Sequence, residues 1–237
     1  MQYDNFLALV KKRRSIRSFK PDPVADEAID RIIEAARWAP SGFNLQPWEF
    51  VVVKQETLRM KIVHFLQDFF NTHGPMEVTR EAWQGPPPPI GTTAPAGFAA
   101  APVFIIPFGD TRIRAGLPMI HRYSEESWEK TYVSSLAGAF LLMHLAATSL
   151  GLASQWVSAV TQPLVHCLIK NLLGIPASLK IYDMMVLGYP AREPTPKLVR
   201  DRSEMVHYDD CGEDDFRNDE AVKDFIYKIR NPKREKL

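Results

Sequence analysis

The sequence predicts a sheet flanked by helices, an α/β or α+β domain. Three short apolar runs, Glu49–Val53, Pro102–Ile106 and Ile181–Leu187, read as buried strands, and stretches with helical periodicity separate them. With 237 residues, 46% hydrophobic and 24% charged, the chain can bury most of its apolar surface without disulfides or metals.

Residues 2–12 form a short amphipathic stretch in which Phe6, Leu7, Leu9 and Val10 recur at helical spacing, and Pro21 and Pro23 break the chain soon after. A helix is expected from Asp26 to Trp38, with Ala28, Ile29, Ile32, Ile33 and Ala36 on one face. Asp26 and Glu27 suit its positive end, and Pro40-Ser41-Gly42 stops it. Residues 56–72 are expected to be helical, with Leu58, Ile62, Phe65, Leu66 and Phe69 aligned. The run from Gly85-Pro86-Pro87-Pro88-Pro89 to Gly97 cannot be regular helix or sheet, because proline lacks an N–H and has a fixed φ; it is expected to be a lid, a binding loop or disordered. Residues 108–131 read as irregular. A long apolar helix follows over 132–150, then a helix over 163–174, the strand stopped by Gly188-Tyr189-Pro190, a short final strand at Glu204–Tyr208 and an amphipathic stretch over 219–230.

The 132–150 segment approaches the ~20 residues that a bilayer requires. His144 lies inside it with several Ser and Thr, so a buried helix is expected, its small residues Ala137, Gly138, Ala139, Ala146 and Ala147 letting another helix come close. The formal net charge of +1 gives no reason to expect nucleic-acid or acidic-membrane binding. Cys167 and Cys211 form no C-x-x-C pair and read as reduced thiols of a cytoplasmic protein; the first twelve residues lack the apolar core of a signal peptide. The stretch from His207 to Cys211 has metal-ligating residue types without a recognised metal-site spacing.

Four segments carry candidate chemistry. Arg13-Arg14-Ser15-Ile16-Arg17 puts three guanidinium groups and a hydroxyl within five residues, a donor set that matches phosphate oxygens; taken alone it reads better as a solvated basic turn between helix and strand, since basic clusters are common. Pro40-Ser41-Gly42-Phe43-Asn44-Leu45-Gln46-Pro47-Trp48 is a stiff polar loop between helix and strand, in which Asn and Gln suit the polar edge of a heterocycle; the plain reading is an ordinary turn. The segment from Gly151 to Ala159 follows a natural helix stop and, if extended, exposes backbone N–H groups to a ligand. Lys197 and Arg200, after Pro190, Pro194 and Pro196, could return to the same phosphate or simply be surface.

Taken together and in this order, the segments resemble the nitroreductase family of FMN enzymes. The pattern R-R-S-x-R, a helix, then A-P-S-G-x-N-x-Q-P-W-x-F-x-V carries the resemblance, with L-G-L-A-S at 150–154 and L-G-Y-P at 187–190. It covers roughly 3–72 and 130–208. It implies a nitroreductase-like α+β fold, with a central mixed or antiparallel sheet between helices, and an intertwined homodimer holding FMN between its subunits. On this view residues 1–237 are one domain, with loop insertions near 73–101 and 109–130 and a C-terminal extension over 201–237. The resemblance assigns Arg13, Arg14 and Ser15 to the phosphate, and Arg17 to the ribityl chain and pyrimidine edge. Pro40, Ser41 and Asn44 fall to the flavin of the other subunit. Trp156, Val157 and Ser158 lie along the isoalloxazine with a backbone N–H near N5, and Arg200 with Lys197 forms a second phosphate clamp. One departure is the region Gly91–Ala96, which lacks the Asn and Lys that many members place there.

The implied activity is hydride transfer from NAD(P)H through the flavin to a small-molecule acceptor such as a nitroaromatic or quinone. No side-chain nucleophile is required, and Arg17 offsets charge on the reduced flavin. Trp83, Phe108, Tyr123 and Trp128 are lid candidates that could equally pack into the core. The alternatives are reductive dehalogenation (Glu125, Glu126 and Lys130 being imaginable grips for a zwitterion), oxygen-dependent flavin fragmentation and a non-catalytic FMN-binding sensor or store.

Overall fold

The computed structural model describes residues 2–74, 81–84, 97–194 and 197–231. It divides the chain into two compact units, residues 1–68 with 94–194, and residues 69–93 with 195–237. The proline-rich run over 85–96 lies outside the described residues.

In the first unit α1 spans Tyr3–Lys12 and α2 spans Asp26–Arg37. The strands are β1 (Trp48–Val53), β2 (Val103–Asp110), β3 (Ala153–Val157), β4 (Leu179–Ile181) and β5 (Met184–Gly188). They form one antiparallel sheet ordered β1-β2-β5-β3, with β4 also paired to β2. The expected third strand is two pieces, because β2 changes partner partway. Its residues 103–105 pair with β5 and 108–110 with β4. Pro107, which has no N–H to give, sits at the change, and its carbonyl accepts from Tyr182 N at 2.9 Å.

The long helix α5 runs Glu125–Ser149, so it starts seven residues earlier than periodicity suggests. Ser124 caps it, its Oγ accepting from Ser127 N at 3.2 Å, with Glu125 and Glu126 in the first turn. The segment before it is also ordered: a 3-10 turn over Thr111–Gly116, started by Asp110 accepting from Arg112 N, and the short α4, Met119–Arg122. One stripe of α5, including Trp128, Leu136, Phe140 and Met143, is buried in the core with Ile29, Ile32 and Ala36 of α2. By length and composition α5 could cross a membrane, yet this stripe makes it a core helix. Its other face leaves Val133 41% and Leu141 47% exposed. Phe108 and Trp128 are buried, which places these two lid candidates in the core instead. The helix α6, Pro163–Leu173, ends at Gly174, whose φ of 66° is the left-handed cap glycine accepts readily.

The unit boundary falls inside α3 (Glu56–His73). In the second unit α7, Asp219–Arg230, packs on a 3-10 turn at Ala82–Gln84, with Lys223 Nζ 5.8 Å from the centre of the Trp83 ring. The strand expected at Glu204–Tyr208 is not formed. Residues 202–204 are a 3-10 turn capped by Asp201, and Arg200 takes the Glu204 carbonyl at 2.6 Å, so local bonds occupy the groups that a ladder would need. Cys167 and Cys211 are free thiols.

Candidate functional site

The basic segment leaves α1 in an extended path and is pinned to the edge of the sheet. Ser15 bridges Ser154 in parallel, Ile16 N donates to Ser154 O at 3.0 Å, and Phe19 bridges Pro190. Ile16 and Phe19 are buried while Ser15 and Arg17 are exposed, so the extended period of two turns the hydroxyl and the Arg17 guanidinium outward. Among the described residues no acidic side chain pairs with Arg13 or Arg17. Arg14 is held differently. Its Nη1 donates to Lys11 O at 2.6 Å, and it lines a cavity of about 300 Å³ with Ile16, Thr148 and Ser154. Gly97 meets this segment closely, since a Cβ there would come within 2.3 Å of the Arg17 carbonyl.

Pairing with Ile16 also orients β3. Ser154 turns its carbonyl away from β5, and by the alternation of an antiparallel ladder Trp156, two residues on, faces the same way. Beyond Ser154 this edge has no strand partner among the described residues, so the Trp156 backbone N–H and C=O face outward. Unpaired arginines at one end and an unpaired backbone edge at the other fit a ligand with an anionic end and a flat polar ring. Four strand residues span ~13 Å. Trp156 is 38% exposed, Val157 is buried and Ser158 exposed.

Behind this edge lies His144, the histidine expected inside the buried helix. His144 is 2% exposed, its Nδ1 lies 2.7 Å from Ser154 Oγ, and its Nε2 has no hydrogen-bond partner among the described residues. Burial, together with the nearby Arg13 charge, pushes His144 down to about 4, so its ring is neutral near pH 7. Asp183 is 6% exposed and accepts from Trp156 Nε1 at 2.5 Å; burial pushes its carboxyl up to about 6, with the indole bond pulling the other way. A lone carboxylate inside the apolar run 181–187 was the signal available for it.

The loop at 40–46 is built on α5. Gly42 N donates to Ser135 Oγ at 3.1 Å, and a Cβ on Gly42 would come within 2.2 Å of Thr131 Cγ2. Phe43, Asn44 and Gln46 have φ of 55°, 54° and 45°, a left-handed conformation that costs non-glycine residues energy. Ser41 Oγ accepts from Gln46 N, Gln46 Nε2 donates to Asn44 Oδ1, and Phe43 packs on His121 with ring centres 5.3 Å apart. Pro40 and Asn44 are exposed, Ser41 half-buried. No described hydrogen bond or ring contact joins this loop to residues 13–17 or to Trp156–Ser158. Lys197 and Arg200 belong to the second unit, where Lys197 is exposed and Arg200 bonds to Glu204.

Comparison with known proteins bears on this arrangement. Iodotyrosine deiodinase 1 of Rattus norvegicus is 32% identical over 212 residues, 87% of this chain and 70% of that protein. The structure of a nitroreductase with bound FMN from Bacteroides fragilis superposes with a TM-score of 0.64 at 22% identity, covering 86% of this chain and 98% of that one. An oxidised iodotyrosine deiodinase bound to FMN and 3-iodo-L-tyrosine gives a TM-score of 0.65 at 24% identity, over 86% and 99%. The model of the nitroreductase family matches residues 10–189, which carry the basic segment, the 40–46 loop and every strand of the sheet, and the chain belongs to that family.

Proposed function

We propose that this chain is an FMN-dependent oxidoreductase, working as a homodimer with a flavin at each subunit interface. It takes hydride from NADH or NADPH and delivers it to a nitroaromatic, a quinone or a similar acceptor. The observation that carries the reading is the β3 edge, bridged at Ser154 by the basic segment and open at Trp156, with Arg13 and Arg17 lacking acidic partners, all among the described residues. Bound FMN would supply the redox chemistry.

The chain's own residues then bind and orient. Arg13 and Ser15 grip the phosphate, with Arg14 on the neighbouring face of the same segment. Arg17 offsets negative charge at the pyrimidine edge. The backbone of Trp156, Val157 and Ser158 donates along the ring. Pro40, Ser41 and Asn44 pack on the flavin of the second copy. The Ser135 and His144 anchors of the loop and the β3 edge lie nine helical residues apart, ~14 Å along α5, which suits two sites served from different subunits. Lys197 and Arg200 are carried in this reading by the resemblance alone.

A second reading is reductive dehalogenation of a halogenated aromatic amino acid, favoured by the identity to the rat deiodinase. There the carbon–halogen bond breaks, the carbon gains two electrons and a proton, and halide leaves.

Protein expressed with ample riboflavin should be yellow, and NADH or NADPH should bleach it under nitrogen. Recovery of colour with a nitroaromatic or quinone supports the first reading. Iodide release from 3-iodotyrosine by the reduced protein supports the second. Stable flavin that neither nucleotide bleaches points to a sensor or store, and colourless protein that refuses FMN sinks every flavin reading.

A further inference from the structure

Beneath the β3 edge a line of side chains runs from the sheet break to the basic segment, buried at every member except Trp156. Asp183 sits between β4 and β5 and accepts from the Trp156 indole. The Trp156 ring is parallel to His144, with an interplanar angle of 4° and centres 5.5 Å apart, and edge-on to Phe140 at 4.5 Å. His144 in turn meets Ser154, whose carbonyl holds Ile16.

Two features ask for an explanation. A buried carboxylate is expensive, and an apolar side chain would fill the same space more cheaply. Moreover, Trp156 lies one residue from the end of β3, which beyond Ser154 is paired on one side only among the described residues, the part of a sheet that frays most readily. The indole bond to Asp183 adds a side-chain tie to the β5 ladder at that end, and it fixes the indole's rotation by giving its N–H an acceptor.

We propose that Asp183 is a positioning residue for the cofactor: by holding the Trp156 indole, it fixes the outward-facing backbone of Trp156 and the turn at Ser158 against the flavin ring. This rests on the FMN reading above. In this role Asp183 acts through Trp156, by way of the indole bond.

The test compares Asp183→Asn, which keeps an acceptor oxygen, with Asp183→Leu, which removes it. Each is measured for FMN affinity, the flavin absorption band and the indole N–H resonance of Trp156 in the FMN-free protein. Asp183→Asn should bind FMN within about twofold of the parent and keep a downfield indole resonance. Asp183→Leu should bind about tenfold more weakly, with a shifted flavin band and an upfield indole resonance. Trp156→Phe deletes the same bond from the other side and should reproduce the weakening; adding Asp183→Leu to it should change FMN affinity no further. If Asp183→Leu fails to fold, Trp156→Phe decides. A folded Asp183→Leu or Trp156→Phe with parental affinity and flavin band overturns the proposal. A parent protein that itself refuses FMN also overturns it, and is recognised as failure of the underlying reading because no variant is then involved.

Discussion

The basic segment at 13–17 and the loop at 40–46 both carry the family pattern, but they are built on opposite plans. The first is relaxed and open: an extended strand-like path, pinned by backbone bonds to β3, with Ser15 and Arg17 facing outward and, among the described residues, no acidic partner for Arg13 or Arg17. The second is strained and closed. Three of its residues have positive φ, and Ser41, Asn44 and Gln46 spend polar groups on one another. A segment that keeps its donors free is suited to a charged ligand from its own subunit. A segment held rigid at an energetic cost is suited to a surface that must be met in one shape, such as a second copy's ligand.

Splitting the proposed homodimer should break the comparison most severely. The apolar face of α5 leaves Leu141 nearly half exposed, and Leu141→Glu should give a monomer in sedimentation at micromolar concentration. That monomer keeps segment 13–17 but loses its partner's loop, so it should retain FMN only weakly. A Leu141→Glu dimer with full flavin would show that this face of α5 is not the interface. Arg13→Ala comes next in size and probes the open segment alone. Losing a charge-assisted grip worth ~2–3 kcal/mol should raise the FMN Kd roughly 30- to 150-fold with the dimer intact, read by flavin fluorescence titration. Unchanged flavin content would remove Arg13 from the phosphate.

Much of this was legible in the chain. Arg13 to Arg17 and Pro40 to Trp48 stand out through residue type and spacing once the segments are read in order, although each taken alone reads as an ordinary turn. The edge orientation of Trp156 was not legible, because which backbone groups face outward is set by the Ser154–Ile16 bond between segments far apart in sequence. The same holds for Arg14, which no motif separates from Arg13, although the fold turns it onto the Lys11 carbonyl. The early start of α5 was signalled by Ser124, Glu125 and Glu126, a cap and an acidic first turn, but the apolar period that usually marks a helix begins later. Asp183 hid inside an apolar run, where its partner, an indole 27 residues away, has no sequence signature.

The closed loop is probed by Gly42→Ala. A Cβ at 2.2 Å from Thr131 Cγ2 must push the loop off α5, costing ~1–3 kcal/mol and lowering Tm by several degrees. Thr131→Ser removes the obstructing methyl, so the double variant should recover most of the loss. If the double variant is no better than the single one, the loop is not seated by this contact.

The smallest effect is also the sharpest, because it pits two buried groups against each other behind the open edge. Asp183 keeps its proton to about 6 in the folded protein against 3.8 ordinarily. Its favourable contribution is therefore complete below the ordinary value and is lost as pH rises through about 6. His144 titrates near 4 against 6.5 ordinarily, so its contribution is complete above 6.5 and is lost as pH falls through about 4. Between pH 4 and 6 the two slopes oppose, each approaching ~1.4 kcal/mol per pH unit for one proton. The parent's urea midpoint should change little across that window. Asp183→Asn should leave stability climbing with pH and His144→Phe should leave it falling. Two variants with slopes of the same sign would mean that the pair does not titrate as buried neighbours, and that the wall behind Trp156 is wetter than its packing implies.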